Sequence, residues 1–113
     1  MALCNNPRFL TVPIAKEKIS ALIRNAESAF QEACADPRDH NIYALLKASR
    51  DISLAQPGSD VVALLLGLEQ EAQHVLSLTS TGGRKKRLEK NVHYFHVRLS
   101  AAHDNDCRSQ ARA

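Results

Sequence analysis

The 113-residue chain has single-domain length, 44% apolar residues, no Trp and only 4% aromatics, so its core must rest on aliphatic contacts. Four Gly and four Pro give too little punctuation for a many-stranded sheet, and no apolar run reaches the roughly 18 residues that a membrane span needs. The net charge of +3 is uneven: residues 84–113 carry eight basic and three acidic side chains, whereas residues 37–83 carry three basic and five acidic.

A basic end on a near-neutral body suits a polyanionic partner, but a solvated tail has the same composition. Cys4, Cys34 and Cys107 are odd in number and far apart, which fits reduced thiols in the cytoplasm better than a disulfide framework. Met1 to Pro13 holds one charge and no apolar h-region, so no secretory signal is expected.

Thr11-Val12-Pro13 has the form of a helix start, a hydroxyl cap followed by a Pro whose missing N–H costs nothing there. Ile19, Leu22, Ile23, Ala26, Phe30 and Ala33 then recur at helical steps, which predicts a first helix over about Pro13–Ala35. Asp36-Pro37 repeats the start signal, with Asp36 as cap, for a second helix ending near Ala55. Its inward face is Ile42, Leu45, Leu46, Ser49 and Ile52; the opposite stripe carries Tyr43, Lys47, Arg50 and Leu54.

Gln56-Pro57-Gly58-Ser59 is a turn, with Ser59 or Asp60 as the cap of a third helix. That helix opens with Val61-Val62-Ala63-Leu64-Leu65-Leu66, apolar on all sides, and so must be covered on more than one side. A second copy of the chain is the expected cover. Thr79 to Gly83 reads as a flexible linker. After the basic run Arg84-Lys85-Lys86-Arg87, the residues Leu88, Val92, Phe95 and Leu99 fit a helical stripe, while Val92 to Val97 has strand propensity. The polar stretch Ala101–Ala113 is expected to be disordered.

Candidate chemistry is sparse. His93, His96, His103 and Cys107 are the one group of metal-ligand types, and their spacing does not supply the four convergent ligands of a structural zinc site. Asp104-Asn105-Asp106 resembles a calcium-loop start but lacks the Gly and the distal Glu. Glu69 and Glu71 project about 200° apart on a helix and share no site. There is no phosphate loop, nucleophile elbow or paired-Cys motif. No enzyme, cofactor, metal or small-molecule substrate is therefore expected.

Three stretches, in this order, resemble the small RNA-silencing suppressors of nodaviruses: Val12-Pro13, Ala35-Asp36-Pro37, and Gln56-Pro57 through the Val/Ala/Leu run to Gly67. The resemblance spans about residues 12–67. It implies an all-α homodimer, each chain giving a long helical hairpin plus a third helix, that forms a four-helix-type bundle along double-stranded RNA. It also implies binding without base reading, which shields the duplex from the host silencing machinery, with Lys47, Arg50 and neighbouring Tyr43 as contacts. The second helix is shorter than the family's and carries fewer cations; Arg84, Lys85, Lys86 and Arg87 are the further contacts expected to compensate. The expected organisation is an N-terminal extension (1–10), a dimerisation and RNA-binding domain (11–78), and a flexible basic segment (79–113). The rival reading is a helical adaptor that docks a protein through the apolar third helix.

Overall fold

The computed structural model describes residues 15–112, and within them every regular element is a helix. Helix α1 spans Lys16–Ala35, α2 Asp39–Leu54 and α3 Ser59–Ser77. The last helix runs as α4 (Thr81–Arg87), a π-helical turn (Leu88–Val92) and α5 (His93–Arg112). The expected helix start at Thr11–Pro13 lies outside the described residues, as does Cys4.

Pro37 sets the first corner. A residue before proline is pushed out of the helical region, and Asp36 is extended, with φ −146° and ψ 91°. The expectation that Asp36 caps α2 is corrected: Arg38 stands at that position without a side-chain cap bond. The Asp36 carboxylate instead accepts from Arg38 Nε and Nη2 at 2.9 and 2.7 Å. At the second corner Gln56 adopts the left-handed conformation, φ 58°, a place usually taken by glycine.

The caps expected for α3 are corrected too. Gly58 precedes the helix, and neither Ser59 nor Asp60 serves as the N-cap. The cap comes from the far end of the chain: Asp106 accepts from the backbone N–H groups of Asp60 and Val61, each at 3.1 Å. A Cβ on Gly58 would collide with that carboxylate, so the missing side chain makes the long-range cap feasible.

Four antiparallel helices then close a bundle within one chain. Each neighbours the next, and the last helix returns to pack on α1 as well as α3. Helices α2 and α5 stand on opposite corners. The all-α class is as expected, but the fourth corner is filled by this chain's own C-terminal helix rather than by a second copy. The buried stripes of α1 and α2 are the predicted ones, Ile19, Ile23, Ala26, Phe30 and Ala33 facing Ile42, Leu45, Leu46 and Ile52. Phe95 lies against Gly67, where any Cβ would strike the ring, and this allows α3 and α5 to approach closely.

The flexible linker and disordered tail are corrected. Among the described residues after α3, only Leu78–Ser80 is non-helical, and Ser80 Oγ caps α4 by accepting from Gly83 N at 2.9 Å. The helix is then pinned by Leu88, Val92, His96, Leu99, His103 and Asp106, all buried. Two histidines and an aspartate on that stripe hide it from a hydrophobicity reading. From Leu88 to His96 the buried positions step by fours, which in a regular α-helix drift about 40° per step. The wider π turn absorbs the drift and keeps the stripe on the core. The strand alternative for Val92–Val97 is thereby excluded.

Candidate polyanion-binding surface

The described structure separates the sequence-predicted cations, together with Lys90 beside them, into three groups. Tyr43, Lys47 and Arg50 are exposed along α2, as the helical spacing requires. Both cations have acidic partners: Lys47 Nζ lies 3.3 Å from Asp51, and Arg50 Nη2 lies 3.4 Å from Glu69. Lys47 also lines a groove between α1 and α2 that contains Glu32 as well as Asp51. The α2 face is thus close to electrically balanced.

Arg84 and Arg87 form the second group and serve the fold. The Arg84 side chain is only 14% exposed and pairs with Asp39 at 2.8 Å. It also donates to the carbonyls of Leu78, Pro37 and Leu76 at 2.9–3.0 Å, so one guanidinium ties the start of α4 to the α1–α2 corner, the start of α2 and the end of α3. Arg87 donates to Glu71 through Nε and Nη2, at 2.9 and 3.3 Å, and Asn91 adds a third bond to the same carboxylate. These contacts hold the Glu71 carboxyl below its ordinary pKa, the hydrogen bond from Arg87 being the main cause. Both guanidinium groups are therefore engaged within the fold.

Lys85, Lys86 and Lys90 are the third group, exposed and without acidic partners among the described residues. Burial raises the pKa of the Cys34 thiol on α1; the charge of Glu89 adds to the rise and that of Lys85 opposes it. Lys86 and Lys90 line a cavity of about 390 Å³ between α3 and the C-terminal helix, with His74, Leu78, Gly83, Arg87 and Asn91. The sequence pattern singles out neither His74 nor Asn91. The i,i+4 spacing of Lys86 and Lys90 was the available signal for the second lysine.

Of the candidate metal ligands, His96 and His103 are buried, Cys107 is half-buried and His93 is exposed. His103 is buried, its Nε2 lies 3.1 Å from the Lys16 carbonyl, and Cys107 Sγ lies 3.8 Å from its Nδ1. His96 is 3% exposed, neither ring nitrogen has a hydrogen-bond partner, and its ring packs on Phe30 at 4.6 Å. Among the described residues no three metal-ligand side chains gather into a site.

Helix α3 buries Val61, Leu65 and Leu68 inside its own chain but leaves Val62 41% and Leu66 60% exposed. No described helix is long and apolar enough to cross a membrane. Compared with known protein families, curated proteins and solved structures, the chain matches none.

Proposed function

We propose that this protein binds double-stranded RNA through its phosphate backbone, and that it shields the duplex from silencing enzymes by occupancy. The observation that carries this reading is the lysine group of the C-terminal helix, Lys85, Lys86 and Lys90, unpaired on an ordered helix. Lysines held this way contact phosphates without first breaking an ion pair. An A-form duplex hides its base edges in a deep, narrow groove, so a protein meets it through phosphates and 2′-hydroxyls. The main contact surface is thus the C-terminal helix, with Tyr43, Lys47 and Arg50 of α2 on the far corner making at most a weaker contribution. Helix α2 does not pack against the π turn or α5, so the two sets of cations stand on separate parts of the surface.

A homodimer belongs to the same proposal, with exposed Val62 and Leu66 of α3 as its contact. The same two side chains favour the second reading, an adaptor that docks a protein partner through α3. Salt separates the readings: phosphate binding weakens steeply as salt rises, whereas an apolar contact does not. A mobility-shift comparison of duplex RNA, duplex DNA and single-stranded RNA tests the proposal. Duplex RNA is expected to bind most tightly and irrespective of sequence. Equal binding of all three, or of none, overturns it.

A further inference from the structure

We propose that the cavity between α3 and the C-terminal helix is a seat for a single phosphate group. The inference deepens the duplex-RNA reading, and rests on it only for the source of the phosphate. Four of the seven lining residues are Lys86, Arg87, Lys90 and His74, and the neighbouring amide of Asn91 completes the polar wall. The Glu71 carboxylate, which does not line the cavity, accepts three hydrogen bonds from Arg87 and Asn91. It orients the guanidinium and balances its charge, which leaves Lys86 and Lys90 as the cavity's lysines, without an acidic partner among the described residues. The other acidic side chain of this segment, Glu89, does not line the cavity. A concave site whose lining holds two lysines and an arginine and no acidic side chain favours an anion; for comparison, the groove that holds Lys47 contains Glu32 and Asp51.

The backbone gives an independent pointer. Lys90 and Asn91 lie in the π-helical turn, a rare conformation found mostly as single turns inside α-helices and frequently at functional sites. A phosphate group suits this lining because it offers several acceptor oxygens to the lysine, arginine and amide donors found there. Lysine ammonium groups serve it as point charges, and an arginine held by its own carboxylate adds directed N–H groups.

The test is an amide-resolved NMR titration of the full chain with inorganic phosphate, ionic strength held constant with chloride. Saturable shifts confined to His74, Gly83, Lys86, Lys90 and Asn91 are expected. The Lys86→Ala, Lys90→Ala double variant should weaken phosphate binding about tenfold or more while its circular dichroism stays unchanged. Shifts spread over every exposed lysine, without saturation, overturn the seat. The source is then decided by competition. If phosphate saturates the site and duplex RNA displaces it, the seat holds a backbone phosphate. If phosphate saturates but duplex RNA does not bind, the seat stands for a free phosphate compound and the RNA reading falls. If duplex RNA binds the double variant as tightly as the wild type, the seat takes no part in RNA binding; where phosphate also leaves those amides unmoved, it is overturned while the RNA reading survives.

Discussion

The carboxylate of Asp106 accepts a hydrogen bond from the backbone N–H of Val61, 45 residues earlier in the chain, at 3.1 Å. With the second bond from Asp60, it satisfies donors that α3 cannot pair internally and places a negative charge at the positive end of the helix dipole. Asp106→Ala should destabilise the protein by about 1–2 kcal/mol, read as a lower urea midpoint. Gly58→Ala should produce a similar loss, because its Cβ would collide with the same carboxylate. If both variants unfold like wild type, the tail does not cap α3.

Arg84 and Lys85 are adjacent in sequence but differ in what they hold. Arg84→Ala leaves three carbonyls and Asp39 without their partner and should cost about 2–4 kcal/mol. Lys85→Ala, at an exposed position, should change stability by no more than about 0.5 kcal/mol. Chemical denaturation of the two variants side by side checks the contrast. It also cautions against neutralising Arg84–Arg87 together, since any loss of RNA binding would be confounded with unfolding.

His96 predicts a pH dependence of stability. Burial, and to a lesser extent the charge of His93, lower its pKa from 6.5 to about 4. Glu27 and His93 are the titratable groups that share the adjoining cavity. Above about pH 6.5 the imidazole is neutral in both states and stability is complete. Between about 6.5 and 4 the unfolded chain binds a proton that the folded chain excludes, so stability falls, by about 3 kcal/mol in all, and this term levels off below 4. His96→Leu should flatten that part of the profile in urea titrations between pH 4 and 7. An unchanged slope would assign the acid sensitivity to other groups.

Duplex-RNA binding should depend on the C-terminal helix more than on α2. Lys86→Ala with Lys90→Ala should weaken affinity at all RNA sequences alike and make the slope of log affinity against log salt shallower by about 1–2. Lys47→Ala with Arg50→Ala should have a smaller effect, because each removes one half of an existing ion pair. The reverse order of effects would return the interface to α2.

The all-α class, the first two helices and their buried faces were legible in the sequence. Their apolar residues recur at strict three- and four-residue steps, and Pro37 and Pro57 mark the corners through backbone chemistry that needs no tertiary partner. The exposure of Tyr43, Lys47 and Arg50 followed from the same periodicity. What only the tertiary structure decided was the fate of the C-terminal third. Its glycines, charges and polar residues carry the composition of a mobile tail, yet His96, His103 and Asp106 sit on the buried stripe and a π turn keeps that stripe in register. Composition cannot separate Arg84, clamped on three carbonyls, from Lys86, open on a cavity. That distinction depends on which ends of α1 and α3 the fold brings beside each residue, a long-range relation that no local pattern contains.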